Sequence, residues 1–210
     1  MSETIFHYIE FTQYYLLLTC LLALFFYNAT SIGYRFLLLI LMVCLFNEGI
    51  STTLLYLKKD IGYLSAVNVM VHNGLWIILL GKLSKYITWH LYFVVGYIAA
   101  NCINIMHIEG IESFDSAFVS GAFIYLSLFL VESFIQLKNE NFSFFGSNNY
   151  ILLFAPVLFF FGISFVCGFK SSAFAHSKVI GELSIYQFIG YFSNIIYYTL
   201  INFYIYREKK

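Results

Sequence analysis

The sequence predicts an all-α, polytopic integral membrane protein, a bundle of about seven transmembrane helices joined by short loops. Three observations lead to this fold class. Of the 210 residues, 61% are hydrophobic and 10% are charged, whereas a soluble domain carries about 25% charged residues. A soluble fold of this size could not cover so much apolar surface with polar side chains. Apolar segments of about 20 residues, the length that a membrane-crossing helix needs, also recur along the chain.

Seven apolar segments are long enough to cross a bilayer. They cover residues 7–27, 33–57, 62–82, 87–107, 115–137, 149–169 and 183–206. Because every connection between them is short, neighbouring helices should run antiparallel and form a single transmembrane domain over residues 1–210. The first segment has an acidic flank and no small-residue cleavage site, so no cleavable signal peptide is predicted.

The lysine and arginine residues predict the orientation, because cytoplasmic loops of membrane proteins carry an excess of them. One side of the predicted bundle holds Arg35, Lys82, Lys85, Lys138, Arg207, Lys209 and Lys210, and the other side holds Lys58, Lys59, Lys170 and Lys178. The first side is therefore predicted to be cytoplasmic, with the N-terminus outside and the C-terminus inside. The 11 basic and 11 acidic residues give zero net charge, so no nucleic-acid partner is expected.

The segment LFNEGIST, residues 45–52, places Glu48 about midway along the second predicted span. A charged side chain at that depth costs roughly 2.5–3.5 kcal/mol on insertion scales. It is therefore expected to point into the bundle, where it is protonated, meets water or pairs with a hydrogen-bond donor. An ionisable residue inside a membrane is a candidate functional residue by default.

Polar residues in three other spans lie at similar predicted depths. Asn68 and His72 are four residues apart in the third span and share one helix face. We predict a ligand-binding pocket, with Glu48, His72, Asn73 and Asn194 as its floor and Asn68, Asn101 and Gln187 above it on the outer side. Interpreted separately, the asparagine and glutamine side chains could instead hold neighbouring helices together by hydrogen bonds.

Other features of the sequence have narrower interpretations. Glu132 lies in the inner part of the fifth span and is a candidate pathway or docking residue. No cofactor and no metal site is predicted, because the HxxxH and HExxH spacings of metal ligands do not occur. The four cysteines fall singly in different apolar segments and are predicted to be inert, buried thiols. Tyrosines of the last span should join the polar cluster or line a cavity.

The predicted function is the binding of a small ligand or a proton within the membrane, in a transporter or a sensory component. The GxSxG motif of nucleophilic catalysis and the P-loop of nucleotide binding do not occur. The alternative is an intramembrane lipid-modifying enzyme that uses Glu48 and His72 as acid and base. A third interpretation is a structural subunit that packs against another membrane protein. In each case the chain has the lipid bilayer as a partner.

The layout of the chain resembles a group of small uncharacterised bacterial integral membrane proteins. The resemblance is carried by Glu48 in the second span, the asparagines of the third, and Glu132 in the fifth. An aromatic, asparagine-containing last span that ends in YREKK completes it. The resemblance implies a seven-helix arrangement in the bacterial inner membrane, and it implies no particular activity.

Overall fold

The computed structural model describes residues 11–28, 30–84, 87–107, 114–170, 172, 176–181 and 183–209. Within these residues the chain forms eight α-helices. They are α1 (Phe11–Phe25), α2 (Ile32–Tyr56), α3 (Gly62–Leu83), α4 (Ile87–His107), α5 (Phe114–Lys138), α6 (Phe142–Phe145), α7 (Asn148–Phe169) and α8 (Ile185–Glu208). A short antiparallel ribbon of β1 (Lys178–Ile180) and β2 (Leu183–Ser184) precedes α8.

The prediction of an all-α fold is confirmed. Five helices, α2, α3, α4, α5 and α7, are long and apolar enough to cross a membrane, which makes the chain compatible with membrane integration. α1 is shorter, with 15 residues, and the 24 residues of α8 include many tyrosines and two asparagines. Each of the seven predicted segments overlaps one of the seven helices other than α6. Residues 7–10 of the first predicted segment lie outside the described residues.

Six of the seven helices other than α6 form a closed ring. Going around the ring, α1 packs against α2, α2 against α3, α3 against α5, α5 against α7, α7 against α8, and α8 against α1. α4 lies outside the ring and packs against α3 and α5. α3 is the most deeply buried of the candidate membrane spans, because it has neighbours on both the inner and the outer side.

The two ends of the ring differ in the residues that they bring together. At the end where α1, α3, α5 and α8 begin, which we call the Asp60 end, Lys170 donates to Asp115 across 3.3 Å. At the opposite end, which we call the Glu208 end, the Glu208 carboxylate accepts hydrogen bonds from Asn28 and Asn148 at 3.5 and 3.0 Å. The half of the ring nearer each end takes the same name below.

Serine residues mark the starts of three long helices. Ser31 accepts a hydrogen bond from the backbone N–H of Tyr34 at the start of α2, and Ser147 accepts one from Tyr150 at the start of α7. Ser184 and Gln187 form a reciprocal capping box at the start of α8. Such caps satisfy backbone donors that the first helical turn leaves without partners.

The Glu208 half of the ring is filled by large side chains. Its fully buried residues include Tyr34, Leu37, Ile40, Leu41, Leu79, Leu80, Leu152 and Tyr204. The Tyr34 hydroxyl donates to the carbonyl of Ala23 at 2.9 Å, which joins α2 to α1. The Tyr204 and Ser31 hydroxyls, 3.4 Å apart, join α8 to the start of α2. Packing and hydrogen bonding therefore close this half.

Two glycines allow close approaches between ring helices. A Cβ atom at Gly162 of α7 would collide with Ser193 of α8. A Cβ atom at Gly121 of α5 would collide with Asn73 of α3 and with the Tyr97 hydroxyl of α4. Glycine at these two positions therefore sets the distance between the backbones, as small residues do at membrane helix interfaces.

Candidate functional site

A cavity of about 410 Å³ lies inside the ring, in the Asp60 half. All six ring helices contribute to its wall, and α4 does not. Its polar lining residues are Thr12, Gln13, Asn47, Glu48, Ser51, Thr52, Ser65, Asn68, His72 and Asn194. Aromatic residues line it as well, namely Phe114, Phe118, Phe159, Tyr197 and Tyr198. We call this space the ring cavity.

The ring cavity begins at the Asp60 end and reaches the middle of the helices. Thr12, Leu55, Ile61 and Phe114 line it where their helices begin or end. His72 lies ten residues into α3 from Gly62, which corresponds to a depth of about 15 Å at 1.5 Å per residue. The cavity is therefore about half as deep as the hydrocarbon core of a bilayer, which is about 30 Å thick.

Glu48 lies on the wall between α1 and α2, and its carboxylate has a partner from another helix. The Gln13 side-chain amide donates to the Glu48 carboxylate at 2.7 Å and to the Thr52 hydroxyl at 3.4 Å. Gln13 is absent from the sequence-predicted site. It could have been found from depth, because Gln13 near the start of α1 and Glu48 near the end of α2 lie at the same height in an antiparallel pair.

His72 lies at the bottom of the cavity and is hydrogen-bonded within its own helix. The Trp76 indole N–H donates to His72 Nε2 at 3.2 Å. An indole can only donate, so in a neutral imidazole the proton is on Nδ1, which lies 3.4 Å from the Asn73 carbonyl oxygen. The imidazole ring also packs edge-on against Phe159 and Phe160, with both centroid distances 6.0 Å.

Asn68 and Asn194 are the other two predicted residues that line the ring cavity. Asn68 is one helical turn above His72 on the same face of α3, as its four-residue spacing predicts. Asn194 enters from α8 and donates to the Gly190 carbonyl of its own helix at 2.9 Å. The structure therefore brings Glu48, Asn68, His72 and Asn194 together around one space.

Asn73 and Asn101 lie outside the cavity and connect helices. Asn73 is fully buried and donates to the Tyr97 hydroxyl at 3.3 Å and to the Phe118 carbonyl at 3.4 Å. Asn101 donates to the Tyr97 carbonyl at 2.8 Å and to the Ser120 hydroxyl at 3.4 Å. These bonds join α3, α4 and α5, so the packing interpretation of the amides fits these two residues.

Gln187 and Glu132 also lie away from the ring cavity. Gln187 is exposed and forms the capping box of α8 with Ser184. The pattern Ser-x-x-Gln is a known capping signal and could have identified this role from the sequence. Glu132 is buried in the Glu208 half of α5, where Gln136 donates to its carboxylate at 2.6 Å.

The cavity wall is acidic rather than basic in composition. Glu48 is the one carboxyl group among the described residues that line the cavity, and none of those residues is lysine or arginine. A carboxyl group in a space of low dielectric favours a cation or a strong hydrogen-bond donor as its partner. Aromatic side chains also line this cavity, and the face of an aromatic ring attracts cations.

Comparison with known proteins adds no family to this description. The chain matches no protein-family model, no curated protein and no solved structure. The functional assignment is therefore built on the ring cavity and its chemistry.

Proposed function

We propose that this chain is an integral membrane protein with seven transmembrane helices that binds a small cationic ligand or a proton in the ring cavity. The observation that carries the proposal is the placement of Glu48, Asn68, His72 and Asn194 around one cavity lined by six helices. The proposed activity is transport, and its alternative is ligand binding within a sensory membrane assembly.

A seven-span arrangement is supported by the ring itself. α1 packs against α2, α8 packs against α7, and α1 and α8 pack against each other. Both α2 and α7 are apolar enough to cross a membrane. A helix of 24 residues such as α8 is about 36 Å long, more than the thickness of the hydrocarbon core. The tyrosines of α8 face the ring where they are buried, as Tyr197, Tyr198 and Tyr204 do.

The proposed orientation puts the Glu208 end in the cytoplasm and the cavity towards the outside. Arg35, Lys82, Lys138, Arg207 and Lys209 lie at or near the Glu208 end, and Lys58, Lys59, Lys170 and Lys178 lie at the Asp60 end. An excess of lysine and arginine is typical of the cytoplasmic side. We place the protein in a bacterial inner membrane, with its N-terminus outside.

The chemistry of the wall suggests a ligand with a positive charge or a strong donor. An ammonium group that enters the cavity would lose hydrogen bonds to water. It would gain charge-assisted hydrogen bonds to the Glu48 carboxylate in their place. The rings of Phe159, Tyr197 and Tyr198 supply apolar contact and electron-rich faces. A proton alone would bind the same carboxyl group without filling the cavity.

Binding is favoured over acid–base catalysis by the hydrogen bonds of His72. Nε2 accepts from Trp76, and Nδ1 is directed to Asn73. A general base needs a nitrogen within hydrogen-bonding reach of the substrate, and neither nitrogen is available in this arrangement. We favour transport over sensing. Transport needs only a second state in which the Glu208 half opens, whereas sensing needs a partner.

Two tryptophans make the proposal testable by fluorescence. Trp76 is fully buried beneath His72, whereas Trp89 is 65% exposed on α4. In a Trp89→Phe protein reconstituted into lipid vesicles, Trp76 is the single tryptophan and therefore the reporter. Titration with butylammonium should change its emission with saturation, and titration with butyrate should not.

The matched variants are Glu48→Gln and Glu132→Gln, which remove two buried or half-buried carboxyl groups from the two halves of the ring. Glu48→Gln should weaken butylammonium binding about thirtyfold or more, because loss of one partner of a desolvated charge pair costs at least about 2 kcal/mol. Glu132→Gln should leave the affinity unchanged. Equal affinity of all three proteins would contradict the proposal. Uptake of the same cation by proteoliposomes would then separate transport from sensing.

A further inference from the structure

An apolar groove on the outside of the ring, between α2 and α3, adjoins the ring cavity. The groove has a volume of about 920 Å³. Its α2 wall runs from Met42 to Leu54, and its α3 wall runs from Leu64 to Val71. Asn47 and Asn68 line both the groove and the ring cavity. The two spaces therefore meet at two adjacent amide side chains.

The chemistry of the groove differs from that of the cavity. Apart from Asn47, Asn68, Thr53 and Gly49, its lining residues are apolar. Phe46 and Val67 expose 73% and 50% of their surface, so the groove faces the region that lipid chains occupy in a bilayer. Gly49 adds no side chain, and a Cβ atom there would meet no atom within 4 Å. The groove therefore has room for an alkyl chain.

The boundary between the two spaces contains an unused acceptor. The side-chain oxygen of Asn47 is buried and has no hydrogen-bond partner among the described residues. A buried acceptor without a donor is unfavourable. A head group that lies between groove and cavity can supply the missing donor. Asn47 and Glu48 both line the ring cavity, so both groups can contact one ligand.

We infer that the ligand of the ring cavity is an amphiphile. Its cationic head group binds Glu48 inside the ring, and its alkyl chain lies in the groove between α2 and α3. The ligand enters from the bilayer, past Asn47 and Asn68, rather than from the aqueous phase. This inference rests on the proposed function and specifies the chemical class of the ligand and its route.

The test compares a short and a long alkyl chain on the same head group. Butylammonium and dodecylammonium are titrated against the Trp89→Phe protein and its Val67→Phe derivative, in vesicles of identical lipid. Val67→Phe places a larger side chain in the groove. The matched control is Val95→Phe on α4, where the native side chain is 65% exposed and lines neither the groove nor the ring cavity. Partitioning of the probes into lipid is the same for all proteins and cancels in the ratio of their affinities.

We expect Val67→Phe to weaken dodecylammonium binding about tenfold or more, because the displaced methylene groups lose their contacts in the groove. Butylammonium has eight fewer methylene groups to place in the groove, so its affinity for this variant should change much less, and its binding also shows that the variant is folded. Val95→Phe should affect neither probe. Equal effects of Val67→Phe on both probes, or none on either, would overturn the inference while leaving cation binding in the cavity intact. If neither probe bound the Trp89→Phe protein that keeps Val67, the proposed function itself would be overturned.

Discussion

The same six helices build two halves of opposite character, a hollow Asp60 half and a packed Glu208 half. In α2, Leu37, Ile40 and Leu41 of the Glu208 half are fully buried in the core. Two to three turns further along the same helix, Glu48 and Thr52 line the ring cavity. The change of side-chain type along one helix therefore coincides with the change from packed to hollow.

The two halves show why one part of a helical ring is hollow while another is packed. Large apolar and aromatic side chains such as Trp76 and Tyr204 are fully buried between the helices of the Glu208 half, as side chains of a protein interior are. Short polar side chains such as Ser65 and Thr52 reach less far, and they must keep hydrogen-bond partners or water near them. A cavity with a polar wall results, and the packed half supports it from below.

The largest effect on stability is expected from replacing a leucine of α2 by alanine, and we compare one such variant in each half of the helix. Leu37→Ala removes a fully buried side chain from the packed half and should lower the free energy of unfolding by about 2 kcal/mol or more, because a cavity is left behind. Leu55→Ala removes a side chain that is 40% exposed and already lines the cavity, so it should cost much less. Unfolding in mixed micelles measures both. Equal losses would show that the halves do not differ in packing.

The second effect concerns the glycines. Gly121→Ala should lower stability by about 1–3 kcal/mol, because the added methyl group collides with Asn73 and Tyr97 and overpacks the α3–α4–α5 contact. Gly49→Ala meets open space and should leave stability unchanged or raise it by up to about 1 kcal/mol through helix propensity. Thermal unfolding of both variants in detergent measures the difference, and a neutral Gly121→Ala would contradict the close approach.

The third prediction compares two glutamines that each donate to a carboxylate. Gln13→Leu should weaken butylammonium binding several-fold, because Gln13 holds the Glu48 carboxylate in place for the ligand. Gln136→Leu removes the donor of Glu132 in the other half and should leave binding unchanged. Titration of both Trp89→Phe derivatives provides the measurement. If Gln136→Leu weakened binding and Gln13→Leu did not, the ligand would lie in the Glu208 half, which would contradict the proposal.

The smallest effect is expected at the Asp60 end, where Lys170 and Asp115 pair in contact with solvent. The hydrogen bond and the charge of Asp115 raise the pKa of Lys170 above its ordinary value of 10.5. The pairing therefore stabilises the fold fully below pH 10.5 and loses this contribution as the pH rises through the raised pKa. The side chains are 59% and 37% exposed, so Lys170→Gln should cost less than about 1 kcal/mol at neutral pH. A larger loss in thermal unfolding would show that this pair is shielded from solvent.

The fold could be predicted largely because a membrane-crossing helix leaves a simple signal, an apolar segment of sufficient length. The last six predicted segments and the observed helices differ by at most two residues at each end. α6 and the ribbon before α8 were outside this prediction, since short elements in polar connections leave no such signal. Which helices are neighbours around the ring also could not be predicted, because it depends on side-chain packing between distant segments.

The candidate site could be predicted in part. Asn68 and His72 line the cavity together because four residues bring a helix back to the same face. Asn73, one residue further, is rotated by about 100° and points to α4 and α5 instead. Depth alone grouped it with His72, which is why sequence reasoning placed it in the floor. Gln187 was predicted to lie above the floor of the pocket, but its place in the first turn of α8 makes it a cap.

The most direct test of a hollow, anionic Asp60 half is thiol labelling from the two sides of the membrane. Ser65→Cys in the cavity and Leu41→Cys in the packed half are compared in a chain whose four cysteines are replaced by alanine. We predict that Cys at position 65 reacts from one side only, faster with a cationic methanethiosulfonate than with its anionic counterpart, and that Glu48→Gln abolishes this preference. Cys at position 41 should stay unreactive from both sides. Labelling of position 41, or equal rates for both reagents at position 65 with and without Glu48, would contradict the division of the ring into a packed half and an anionic, hollow one.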